Sequence, residues 1–154
     1  MAGEYDLDFR AHPEAYRYES SEQGVFKVQP YKDELLPDWG FKDEAAAEEA
    51  VEALRDTYET YRAEEDFVGM DMVRKYLRMG FTRAMRYAKY PGGQKYDADG
   101  TEREPRQWAA PEKRRAAVVF RDAWQALTDD SAYQRLKVRH REEVYEPDAS
   151  PMAD

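Results

Sequence analysis

The sequence predicts a mainly α (α+β) fold, four helices with a small N-terminal β-hairpin. Three observations lead there. From residue 43 onward, apolar residues recur every three or four positions, the period of a helix with one buried face. Before residue 30 the pattern alternates in twos instead. Finally, 12 Tyr, 6 Phe and 3 Trp in 154 residues give one domain enough bulk for a core, although Leu, Val and Phe number only 22 and isoleucine is absent. One globular domain over residues 1–145 is expected, followed by a disordered tail at 146–154 that holds two prolines.

At the N-terminal end, residues 15–19 (Ala-Tyr-Arg-Tyr-Glu) and 25–29 (Val-Phe-Lys-Val-Gln) alternate around Ser20-Ser21-Glu22-Gln23-Gly24, the pattern of a hairpin with a five-residue loop. Residues 5–9 alternate too and offer a third short strand. Pro30 and Pro37 break regular structure next, with Trp39 and Phe41 expected to anchor the segment on the helices.

Asp43 is placed to cap a helix reaching about residue 64, whose inner face is Ala47, Val51, Leu54, Tyr58 and Tyr61 and whose outer face is acidic. Asp66 caps a second helix that stops before Pro91-Gly92-Gly93. Its core face is Met70, Val73, Leu77, Ala84 and Ala88, and Gly80 at the edge lets another element approach closely. Residues 91–110 read as a loop. Pro111 suits the first turn of a third helix with Ala116, Val119, Phe120, Ala123, Trp124 and Leu127 inward. A turn and cap at residues 128–131 precede a fourth helix over about 132–143.

Charge is unevenly spread. The chain carries −9 overall, yet residues 71–95 hold seven bases against one acid, Asp71, while residues 1–66 hold 19 acids against 7 bases. On the second helix Lys75, Arg78, Thr82, Arg86 and Lys89 fall opposite the core face, with Arg83 and Tyr90 at one margin and Lys95 just beyond. Cations at this spacing match a row of phosphates, and the tyrosines among them offer stacking surfaces for bases. The expected site is therefore Lys75, Arg78, Arg83, Arg86, Lys89, Tyr90 and Lys95, contacting nucleic acid, a ribonucleoprotein or another phosphate-rich partner. The bland reading is a solvated helix face, or one that pairs internally with the acidic helix. A protein-interaction or self-associating module, joining the acidic helix of one copy to the basic helix of another, is the alternative function. An enzyme acting on a phosphorylated metabolite is a third.

Several classes are disfavoured. There is no cysteine, so neither a disulfide framework nor a thiolate zinc site is available. His12 and His140 lack partners at ligand spacing, and His140, among Arg139, Arg141 and Glu142, reads as a solvated surface residue. Carboxylates are too abundant for any pair to be specific, serine has no nucleophile-elbow context, and Pro91-Gly92-Gly93-Gln94-Lys95 ends a helix rather than opening one. We expect no catalytic residues, metal or cofactor. No apolar run approaches the ~18 residues needed to span a bilayer, so a soluble cytoplasmic protein without a membrane partner is expected. The acidic, alanine-rich, lysine-poor composition is halophile-like.

These residues also carry a resemblance. Gln23-Gly24-Val25, Pro30-Tyr31-Lys32, Leu36-Pro37, Trp39 and Phe41-Lys42 are similar to the opening of domain of unknown function family 4385. So are residues 66–72 (Asp-Phe-Val-Gly-Met-Asp-Met), the block Met79-Gly80-Phe81-Thr82-Arg83-Ala84 with Arg86-Tyr87-Ala88, residues 93–97, and Leu136-Lys137 with His140. The resemblance spans about residues 5–142. It implies one domain of a family found in bacteria, archaea and tailed phages, in an intracellular setting, and it brings no activity.

Overall fold

Five α-helices form among the described residues of the computed structural model, which are 8–16, 27–90, 96, 98, 100–102 and 111–145. They are α1 (Tyr31–Leu35), α2 (Glu44–Ala63), α3 (Phe67–Lys89), α4 (Pro111–Thr128) and α5 (Ser131–His140), the last running into a π-helical turn, Arg141–Tyr145. The expected acidic caps are in place. Asp43 accepts from the Ala46 amide at 2.8 Å, Asp66 from Gly69 at 3.2 Å and Asp130 from Ala132 at 3.2 Å, each satisfying a donor that the first turn leaves open. At its other end α3 stops at Tyr90, whose extended backbone (φ −122°, ψ 122°) is the conformation favoured before the proline that follows.

Two expectations need correction. The count is five helices rather than four, because Pro30 and Pro37 punctuate helical turns instead of preventing them. Pro30 sits at the N-cap of α1, where a missing amide hydrogen costs nothing, and Pro37 lies in the first turn of the 3-10 segment Leu36–Asp38. Tyr31 and Leu35, one turn apart, are both buried and hold this short helix to the core. The N-terminal hairpin is not found either: no β-strand forms among the described residues. Ala15 closes a 3-10 turn, Pro13–Ala15, and Gln29 makes an isolated parallel bridge to Asp8 rather than an antiparallel ladder with residues 15–19. Residues 17–26, the middle of that expected hairpin, and most of the expected third strand at 5–9 lie outside the described residues, as do 91–95 and the tail.

The core is centred on α3, which packs against all four other helices. Met70, Met72, Val73, Tyr76, Leu77 and Met79 are essentially inaccessible, and Asp71 and Lys75 are buried with them, so the first half of α3 is enclosed on nearly every side. Two glycines permit the close packing. A methyl at Gly69 would stand 2.6 Å from the Tyr61 ring, and one at Gly80 would stand 2.6 Å from the Phe120 ring of α4. Trp39 anchors the preceding segment as expected, its indole nitrogen donating to the Tyr76 carbonyl at 2.9 Å.

The turn between α2 and α3 is a Schellman motif. The Asp66 amide donates to the Tyr61 carbonyl at 2.9 Å and the Glu65 amide to Arg62 at 3.1 Å, with Glu65 in the left-handed region (φ 54°) usually given to glycine. Glu65 is held from outside by Arg135 of α5 at 2.8 Å.

Candidate functional site

The cationic face of α3 divides into a buried part and an exposed part. Lys75, expected on the surface, is 7% exposed, with its ammonium 5.2 Å from the centre of the Tyr16 ring. Its burial follows from the all-round packing of this half of α3. Further along, Arg78 lies half-buried over Trp124 of α4 at 5.8 Å, and Arg83 lies half-buried over Trp39 at 5.4 Å. At 100° per residue these two arginines mark the borders of a face, and Arg86 and Lys89 fall between them. Both of the latter are exposed. Tyr90 is buried at the end of the helix, and Lys95 lies outside the described residues.

Arg83, Arg86, Lys89 and Tyr90, four of the seven expected site residues, line one depression of about 550 Å³ with Phe81, Thr82 and Met85. Cationic groups there alternate with apolar and aromatic surface. Arg86 and Lys89 also occupy the last turn of α3, where positive side chains complement the partial negative charge of the helix end and stabilise the helix by themselves. Any anion at this face is therefore held by side chains and not by backbone amides. None of the ion pairs seen among the described residues joins Arg78, Arg86 or Lys89 to the acidic face of α2.

Sequence reasoning missed a second polar centre. Asp71 is fully buried and accepts from the Tyr16 hydroxyl, from the Tyr133 hydroxyl at 2.6 Å and from Nε of Arg74 at 2.7 Å. Burial pushes its carboxyl up, but the Arg74 guanidinium and the two hydroxyls outweigh this and hold it below the usual carboxylate range. Burial, with Asp71 beside them, pushes both tyrosine hydroxyls well above their ordinary value. His140 is buried too, contrary to the surface role expected of it. Its Nε2 lies 2.7 Å from the Tyr16 carbonyl oxygen, and its ring packs beside Phe67. The solitary acid in a basic segment was the available signal for Asp71. The carboxylate thus ties together Tyr16, α3 and α5 through three internal partners. Among the described residues no group of three His, Asp or Glu side chains is arranged to hold a metal ion.

A third polar region closes the groove between α2 and α4. Asp130 accepts from the Tyr58 hydroxyl at 2.6 Å and from Nε of Arg62 at 2.9 Å. No described helix is long and apolar enough to cross a membrane.

Comparison with curated proteins and with solved structures returns no match. A family model does match, over residues 2–143, which takes in the α3 face, the Asp71 cluster and all five helices. The chain belongs to the family described as domain of unknown function DUF4385.

Proposed function

We propose that this protein is a non-enzymatic binding module that contacts nucleic acid, or another phosphate-rich partner, through the C-terminal half of α3. The observation that carries the reading is the depression in which Arg83, Arg86 and Lys89 surround Phe81, Met85 and Tyr90. Guanidinium and ammonium groups meet phosphates, while the planar and apolar surface between them takes a base or sugar face. Arg78 and Arg83, lying over indole rings, keep their charges at fixed positions on the borders of the face. Lys75 has no part in this contact, because it is buried. The net charge of −9 works against long-range attraction, so the contact relies on short-range fit and is strongest at low salt.

The test is a fluorescence-anisotropy titration of labelled single- and double-stranded DNA and RNA at several salt concentrations. Arg86→Gln with Lys89→Gln, which removes the charges without placing acids at the helix end, should keep the helical content and weaken binding at least about tenfold, or about 1.4 kcal/mol. Wild-type affinity should fall linearly on a log–log plot against salt as a few counterions are released. Absence of salt-sensitive binding to every nucleic acid tried refutes the reading.

A second reading rests on the exposed acids Glu48, Glu49, Glu52 and Asp56 along α2. In it, this face of one copy meets the basic face of another, in a soluble cytoplasmic setting. Light scattering distinguishes the two: the same double substitution would then convert a larger species to monomer.

A further inference from the structure

The groove between α2 and α4, floored by α3, is a second cleft, separate from the cationic face. Its volume is about 410 Å³, within the ~300–1,000 Å³ of small-ligand clefts. Val51, Val73, Leu77, Ala123 and Leu127 form its apolar floor. Beside Leu127, α4 contributes only the methyl groups of Ala123 and Ala126, where larger side chains would fill the groove. One end is sealed by the Arg62–Asp130 ion pair, with the Tyr58 hydroxyl donating to the same carboxylate. The charges of that pair cancel, which leaves Arg55 and Glu59 as the net-bearing groups at the mouth.

Arg55 and Glu59 are exposed, one helical turn apart on α2. Neither makes a direct ion pair with a described residue, although Glu59 lies close enough to Arg62 for its charge to act there as a lesser influence than Asp130. A plain anion would gain from Arg55 and be repelled by Glu59, and a plain cation would meet the reverse. A ligand carrying both charges close together beside an apolar body satisfies the whole lining.

We propose that this groove binds a free α-amino acid with a large apolar side chain. Its carboxylate pairs with Arg55, its ammonium group with Glu59, and its side chain lies on Leu77, Val73 and Leu127.

The experiment is ligand-detected NMR with isothermal titration of L-leucine and L-phenylalanine into the full chain. Phenylalaninamide and N-acetyl-L-phenylalanine serve as probes that each lack one of the two charges. Saturable binding of the free amino acids is expected, weakened at least about tenfold in either derivative. Arg55→Ala should weaken the parent amino acid while leaving phenylalaninamide unchanged, since the amide has no carboxylate to lose. Ala126→Trp, at an exposed position on the rim, should abolish binding by filling the groove. Absence of saturable binding overturns the proposal. So does equal binding of the derivatives, which would indicate capture of an apolar side chain from a peptide. The derivative series uses the wild-type protein and stands even if a variant fails to fold.

Discussion

Alanine at position 80 sets two effects of opposite sign against each other. Gly→Ala within a helix is worth about 1 kcal/mol in favour of the folded state, by propensity alone. Against this, the new methyl would stand 2.6 Å from Cδ1 and Cε1 of Phe120 and 2.7 Å from Cγ. Carbon atoms prefer about 3.5–4.0 Å, so the ring would have to retreat by about 1 Å. Phe120 is wholly buried, so such a movement pushes on other core side chains. Overpacking of this kind costs about 1–3 kcal/mol, and a fully enclosed ring places it in the upper part of that range. We expect Gly80→Ala to lose about 1–2 kcal/mol net in urea unfolding, a fall of roughly 2–8 °C in Tm for a chain of this size. Phe120→Leu in the same background should recover part of the loss, giving a coupling of about 1 kcal/mol or more in the double-mutant cycle. An unchanged or raised Tm for Gly80→Ala would refute the packing argument, because propensity would then be the stronger effect.

Other perturbations test the polar interior. Asp71→Asn should cost about 3–5 kcal/mol at pH 7, measured by denaturant titration, since it leaves the largely buried Arg74 charge without its carboxylate. The Asp71 pKa lies below its unfolded value of 3.8, so its contribution is present above about pH 4 and is lost as the pH falls through the folded value. The Asn variant should accordingly lose less stability than wild type on acidification; equal losses would contradict the assignment. Two tyrosines make a matched pair. The Tyr76 hydroxyl is buried without a hydrogen bond among the described residues, so Tyr76→Phe should be neutral or stabilising by up to about 1 kcal/mol. Tyr133→Phe removes a bond to a charged carboxylate and should cost about 1.5–3 kcal/mol by the same measurement.

The long helices were legible because their signals are local. Periodic apolar positions placed Tyr58, Tyr61, Leu77 and Phe120 inside, and aspartates at the right offset placed the starts of α2 and α3. The N-terminal segment was not, because its conformation is set from a distance. Tyr16 alternates with its neighbours as a strand residue would, yet its place is fixed by Asp71, 55 positions on. For Lys75 the signal was present but read too narrowly. Between residues 67 and 80 apolar side chains occur on every side of α3, which implies burial of whatever charge lies among them. His140 likewise continues the stripe of Tyr133 and Leu136 at helical spacing, although the charged residues on either side drew attention to the surface. The face formed by Arg86 and Lys89 was readable from charge alone. The α2–α4 groove was not, since its shape comes from three helices meeting around small side chains.

Asp66 and Asp130 each begin a helix and also hold a tyrosine hydroxyl from another one, Tyr31 at 2.7 Å and Tyr58 at 2.6 Å. These partners are 35 and 72 positions away in the chain. A helix start is ordinarily the place where a protein frays by itself, exchanging its first amide protons through small local openings. Here such an opening at α3 or α5 also disturbs the capping carboxylate and with it an interhelical bond. The amides of Gly69 and Ala132 should therefore exchange with deuterium at rates that follow unfolding of the whole core. The ends of the helices then share in the cooperativity of the fold, and the turns between them are among its last parts to open.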